Sequence, residues 1–216
     1  MEKEQPSSPE HAVRDEYGRL AGEYDTRWSR YLQRSIGATL EIARNHPART
    51  SLDVGCGTGL LLDALVADED RGQEETCLAG VDLSLEMLER AGERLEGRAV
   101  VAQATAERLP FADARFDRIL SSSMFHYLPR PHEALAEWHR VLRPGGTLII
   151  GDWCRDYFTM AGLDLFLRMF NAAHRRTWNG AELETALADA GFVSVRIERR
   201  RLDAFWGYMV VTATRA

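Results

Sequence analysis

The chain has 216 residues, of which 45% are apolar and 28% charged, and a formal net charge of −6. This length buries a full core without a disulfide or metal staple, and it predicts one domain over 11–216 behind a disordered tail at 1–10. The net acidity argues against a surface built for nucleic-acid phosphates, no apolar run reaches the roughly 18–20 residues of a membrane span, and the acidic start is not a secretory signal.

Residues 11–46 read as helical cap segments, with Leu20, Tyr24, Trp28, Tyr31 and Leu32 near helical spacing, closed by His46-Pro47. A short apolar strand at 51–54 runs into the turn Gly55-Cys-Gly-Thr-Gly59, and Leu60, Leu61, Ala64, Leu65 and Ala67 supply the next helix face. A charged loop at 68–76 precedes a second strand at 77–81. Ser84 then caps a helix carrying Leu85, Leu88, Ala91 and Leu95, which Gly97 closes. Strands follow at 99–103 and 116–121. Pro131 opens a helix with Ala134, Leu135, Trp138, Val141 and Leu142 on its buried stripe. Arg143-Pro-Gly-Gly146 breaks that helix before a fifth strand at 147–151.

The segment 155–178 is apolar nearly all round, through Phe158, Leu163, Leu165, Phe166, Leu167, Met169 and Phe170. A helix of this kind is buried or closes over something, and it reads as an inserted lid. A helix at 181–190, stopped by Gly191, leads to strands at 192–198 and about 205–214. Their short connection requires them to be antiparallel. The predicted fold is a three-layer α/β architecture. Its sheet is seven-stranded and mostly parallel, with an antiparallel last strand, capped by the N-terminal helices and the insertion.

In such a sheet a ligand sits at the carboxyl ends of the strands. The glycine turn opens there, but its spacing is G-x-G-x-G, without the third glycine of a dinucleotide site. Asp53 before the turn repels a pyrophosphate and suits a cation. Asp82 ends the second strand, where a carboxylate grips a ribose diol. An acid at that position also occurs in nicotinamide sites, so an NAD-dependent oxidoreductase is the less favoured alternative. Together, Asp53, the turn spacing and Asp82 favour a nucleoside without phosphates.

Four segments carry a specific resemblance. Leu52-Asp-Val-Gly-Cys-Gly-Thr-Gly59 resembles the first motif of class I S-adenosylmethionine (SAM) methyltransferases, and Gly80-Val-Asp-Leu-Ser84 their second-strand motif. Ala106-Glu-Arg-Leu-Pro-Phe111 with Arg115-Phe-Asp117, and Arg140-Val-Leu-Arg-Pro-Gly-Gly146, resemble segments of the small-molecule branch that includes the ubiquinone/menaquinone methyltransferases. Tyr24-Asp25 is similar to an N-terminal pair that closes over the cofactor. The resemblance covers about 17–152 and implies a Rossmann-like core that binds SAM and releases S-adenosylhomocysteine.

It also implies roles. Gly55, Cys56 and Gly57 present backbone to the methionine part, and Asp53 sits near its amino group. Asp82 accepts from both ribose hydroxyls, and Leu83 lies against the adenine. Thr105 and Ala106 line the adenine edge, and Ser121 or Ser122 the methionine side. Thr105 replaces the family's usual aspartate, and a hydroxyl accepts more weakly than a carboxylate. A partner protein that binds SAM without catalysis is the alternative suggested by Thr105 and the lack of a clear base.

On the acceptor side, His126 follows the fourth strand within Ser123-Met-Phe-His-Tyr127 and is the candidate base or orienting group. Trp28, Tyr31, Tyr127, Trp153 and His174 are the candidate substrate contacts, although His174, Arg175 and Arg176 also read as a solvent-facing end of the insertion. Arg199-Arg-Arg201 reads as a solvated turn. The expected partners are a small-molecule substrate and neither nucleic acid nor membrane, with the chain a monomer or homodimer. Cys56, Cys77 and Cys154 are odd in number and lack C-x-x-C spacing, so no metal site is expected and a reducing cytoplasm fits.

Overall fold

A computed structural model describes residues 9–69, 76–171 and 174–216. Three helices come first: α1 (Pro9–Leu20), α2 (Tyr24–Arg27) and α3 (Ser29–Arg44). Strands and helices then alternate through β1 (Thr50–Val54), α4 (Leu60–Glu69), β2 (Cys77–Asp82), α5 (Leu85–Leu95), β3 (Val100–Gln103) and β4 (Phe116–Ser122). A 3-10 turn (Phe125–Tyr127), α6 (Pro131–Val141) and β5 (Leu142–Trp153) lead to α7 (Phe158–Phe170), α8 (Gly180–Asp189), β6 (Phe192–Arg201) and β7 (Gly207–Arg215).

The sheet has seven strands in the order β3-β2-β1-β4-β5-β7-β6. β7 runs antiparallel between β5 and β6, and the strands from β3 to β5 pair in parallel. Strand alternation sends Leu52, Val54, Ile119 and Leu148 to one face, against Leu135 and Trp138 of α6 and Leu183 and Leu187 of α8. Leu78, Leu120, Ile149 and Val210 face the other way, against Leu40, Leu62, Leu65 and Leu88 of α3, α4 and α5. Local signals set the helix starts: Ser84 Oγ accepts the Met87 amide at α5, and Asn179 and Glu182 form a reciprocal capping box at α8.

The fold matches the expected architecture and departs from it in detail. Pro9 and Glu10, expected in the tail, belong to α1, and 1–8 lie outside the described residues. α4 runs on through Asp68 and Glu69, and the rest of the expected charged loop, 70–75, lies outside the described residues. A left-handed Glu96 precedes Gly97 at the end of α5.

Arg143-Pro-Gly-Gly146 is absorbed into β5 rather than separating helix from strand. The β4–β5 pairing shifts register between Phe116↔Leu142 and Arg118↔Thr147, and this irregularity accommodates the four residues. Arg199, Arg200 and Arg201 lie in β6, not in a turn. Arg199 pairs with Asp156 at 2.5 Å, Arg200 pairs with Glu41 and Glu198, and Arg201 lies over the Tyr157 ring.

The inserted helix α7 is not covered as its composition predicts. It buries only Met160 and Asp164, and Phe158, Leu165, Phe166, Met169 and Phe170 are exposed. No helix among the described residues is long and apolar enough to cross a membrane.

Candidate functional site

β1 pairs with β4 where the strand order reverses, and a cleft opens at their carboxyl ends. About 880 Å³ of empty space lies within it, open solvent at its mouth included. Val54, Gly55 and Gly57 form its floor, and Asp82, Leu83 and Ser84 one wall. Ala104, Thr105 and Ala106 form a second wall, Ser122, Ser123 and Met124 a third, and Tyr17 and Tyr24 close it from the N-terminal helices.

The glycines shape this floor. Gly55 has φ +76°, and a Cβ there would lie 2.5 Å from Met124 Cγ, while Gly57 has φ +53° and faces open space. The amides of Gly55 and Cys56 donate to the Val81 carbonyl at 2.8 and 3.0 Å, and that of Gly57 donates to Asp82 Oδ2 at 2.8 Å. Three amides of the turn therefore hold β2 and are not offered to a phosphate, unlike those of an anion-binding loop.

Asp82 also accepts the Ser84 amide at 2.9 Å through Oδ1. Burial raises its carboxyl pKa above the ordinary range, and the backbone donors oppose that rise. Asp53 lies beneath the floor, 1% exposed, and its Oδ1 has no hydrogen-bond partner. Burial first, and the Asp82 charge second, push Asp53 up to about 8. Burial also raises the Tyr24 phenol, with the charges of Asp82 and Asp25 adding to it.

The predicted cofactor residues separate into two groups. Tyr24, Gly55, Gly57, Asp82, Leu83, Thr105, Ala106 and Ser122 line the cleft; Asp53, Cys56 and Ser121 do not. Cys56 is turned into the core, where its sulfur occupies the space beside Gly80. Ser121 faces away from the cleft because neighbouring side chains of a strand alternate, and it is Ser122 that reaches the cleft.

Three residues that position the site, Arg94, Trp138 and Gln103, lie outside the motifs. Asp25 accepts from Thr58 Oγ1 at 2.7 Å and from Arg94 of α5 at 2.6 Å, and Arg94 also reaches the Thr58 carbonyl. This clamp ties the N-terminal helices to the glycine turn. Trp138 of α6 donates to the Ala106 carbonyl at 3.0 Å, and Gln103 donates to the Leu83 carbonyl at 2.9 Å, fixing the second wall and the turn after β2.

Of the predicted acceptor-side residues, Tyr127 lines the cleft, whereas His126, Tyr31, Trp153 and His174 stand behind the third wall. His126 is buried, and its Nδ1 lies 2.6 Å from Asp152 Oδ1. Its amide donates to Asp152 Oδ2 at 2.8 Å. The Trp153 ring stacks on His126 at 4.0 Å, and the Trp153 indole donates to Tyr31 Oη at 2.8 Å. Tyr31 Oη in turn lies 2.6 Å from Ser123 Oγ.

His174 does not face solvent. It is buried, with Nε2 2.8 Å from Asp164 Oδ1 of α7, because the buried carboxylate of that apolar helix draws it inward. Arg176 pairs with Glu182 and lies over Trp178. Trp28 is at the surface, edge-on to Trp206. Among the described residues no group of three His, Cys, Asp or Glu side chains converges as a metal site.

Residues 52–150 match the family described as "Methyltransferase domain". The chain is 33% identical over 195 residues to the malonyl-[acyl-carrier protein] O-methyltransferase of Methylococcus capsulatus, covering 84% of this chain and 66% of that protein. It is 36% identical over 132 residues to the ubiquinone/menaquinone biosynthesis C-methyltransferase of Methylobacterium nodulans, covering 59% and 50%. A solved structure of Burkholderia thailandensis 1,6-didemethyltoxoflavin-N1-methyltransferase, with S-adenosylhomocysteine bound, superposes with a TM-score of 0.72 at 22% identity, over 99% of this chain and 93% of that one. The chain spans about half the length of the first curated relatives it matches. With its strand order, its glycine turn and residues 52–150 all pointing the same way, the chain belongs to the class I SAM-dependent methyltransferases.

Proposed function

We propose that this chain binds SAM in the cleft and transfers its methyl group to a small molecule. One observation carries the reading: the buried Asp53 oxygen without a partner, under a turn whose amides are already engaged. Such a floor suits an ammonium group and a phosphate-free nucleoside, which SAM supplies together with a methyl group activated on a sulfonium. Asp82 accepts from the ribose hydroxyls, Asp53 faces the amino group, Leu83 lies against the adenine, and Thr105 and Ala106 meet its edge. Ser122 stands on the methionine side, and Tyr24 closes the cleft.

In this reading His126 takes the acceptor proton. Its Nδ1 is held toward Asp152, which leaves the Nε2 lone pair to act as base. Tyr127, Trp153 and Tyr31 exclude water around it, and alignment of the acceptor supplies the rest of the acceleration. The protein works as a monomer or homodimer in a reducing cytoplasm, consistent with its three free cysteines.

Titration calorimetry with SAM and S-adenosylhomocysteine tests the cofactor assignment. Binding is expected, and is expected to vanish in Asp82→Ala; no binding at millimolar cofactor sinks the reading. A screen of labelled SAM against metabolite extracts, with the product identified by mass, then names the acceptor.

A further inference from the structure

Behind the cleft wall two histidines are arranged as mirror images. His126 Nδ1 meets Asp152 at 2.6 Å, and His174 Nε2 meets Asp164 at 2.8 Å. Each ring thus has one nitrogen held by a carboxylate. The other nitrogen, Nε2 of His126 and Nδ1 of His174, is buried without a partner. A buried polar atom left unpaired is costly, and native proteins keep few of them. Here two occur on neighbouring rings whose centroids are 5.7 Å apart.

The spacing of the rings is fixed. The amides of Arg175 and Arg176 donate to the His126 carbonyl at 3.3 and 3.1 Å, which ties the His174 segment to the 3-10 turn. Both rings also lie against the Trp153 indole, at 4.0 and 6.0 Å. The Tyr127 ring contacts both, at 4.0 and 6.5 Å. The charged groups around the pair are Asp152 of β5 and Asp164 of α7. Beyond Asp164, the guanidinium of Arg168 lies 3.7 Å away with its side chain 55% exposed, so the chain of groups ends at the surface.

We propose that Asp164 and His174 extend the His126–Asp152 pair into a two-imidazole proton relay leading from the acceptor to the surface of α7. The proposal rests on the methyltransferase reading for its direction, and on the two bare nitrogens for its existence. As the bond from acceptor to methyl carbon forms, the carbon–sulfur bond breaks and its electron pair stays on sulfur. The acceptor proton moves to His126 Nε2, and once the methylated product leaves, a water in its place accepts that proton and passes one to His174 Nδ1. The hydrogen on His174 Nε2 passes to Asp164 and on to solvent, and the ring resets by exchange with water. The pair holds one proton at a time: burial disfavours a charge on His174, and a charged His126 disfavours it further. Asp164 fixes which nitrogen of His174 is bare and also carries the proton onward.

Nitrogen NMR of the imidazole rings tests this on the full chain, with and without S-adenosylhomocysteine. In the unmodified protein the two rings titrate as one coupled system, and replacing His126 (His126→Gln) raises the His174 midpoint, which a charged His126 lowers. Asp164→Asn keeps the size and an acceptor at that position and alters the tautomer balance of His174. Independent single-site titrations of the two rings in the unmodified protein overturn the relay, whether or not either variant folds. So does a His174 curve that both folded variants leave unmoved. Failure of S-adenosylhomocysteine to bind overturns the methyltransferase reading instead, and leaves the coupling measurement intact.

Discussion

Asp53 is held in its protonated form first by burial and then by the charge of its neighbour Asp82: the two buried carboxyls stand at the ends of adjacent strands, and Asp53 is pushed up to about 8. An ammonium group arriving over Asp53 favours its carboxylate, so binding releases a proton at pH values below about 8. Affinity for S-adenosylhomocysteine is expected to rise between pH 6 and 8, by up to about tenfold per unit. Calorimetry in buffers of different ionisation enthalpy reads the released proton directly, and a flat affinity over that range contradicts the assignment.

The same carboxyl costs the empty protein stability. The folded state keeps the Asp53 proton up to about 8, whereas the unfolded chain loses it near 3.8. Stability therefore falls as pH rises from about 4 to 8, because the folded state binds more protons there. Asp53→Asn is expected to stabilise the protein at pH 8 by about 2 kcal/mol, roughly 4–8 °C, while weakening cofactor binding. Thermal melts with and without S-adenosylhomocysteine separate the two effects.

The clamp of Asp25 on Thr58 and Arg94 holds the N-terminal helices against the turn. Asp25→Ala should weaken cofactor binding about fivefold, about 1 kcal/mol. Hydrogen exchange should quicken over 17–27 and stay slow in β1. Unchanged exchange at 17–27 means the helices are held by other contacts.

Much of the scaffold was legible in the sequence because short-range rules set it: strand alternation, the glycine turn, Ser84 and Pro131 at helix starts. The motif also pointed to Asp53 and Asp82. The clamp partner Arg94 was not legible, since nothing local marks one arginine of an amphipathic helix as facing a distant aspartate. Asp164 was hidden for a related reason. It sits in an apolar run whose composition predicts burial of the whole helix, whereas the fold buries this carboxylate and Met160 and leaves the phenylalanines exposed. With Asp164 unread, His174 was expected at the surface.

His174 sets a limit on acid stability. Burial holds the ring below its ordinary range, aided by His126 and opposed by its bond to Asp164. The unfolded chain takes up a proton near 6.5 while the folded ring stays neutral, so stability is lost as pH falls below about 6.5, by up to about 1.4 kcal/mol per unit. The Asp53 proton acts in the opposite sense over this range, so urea titrations at pH 7.5 and 5.5 should show the loss in Asp53→Asn, and adding His174→Gln should lessen it.

Ser123 belongs to both halves of the site. It lines the cofactor cleft and bonds Tyr31 of the aromatic group behind it. In the proposed reading, with the acceptor on the aromatic side, the two reactants meet across this residue. Turnover then passes through a ternary complex without a covalently modified enzyme form. Initial-rate plots at several acceptor concentrations should accordingly intersect rather than run parallel.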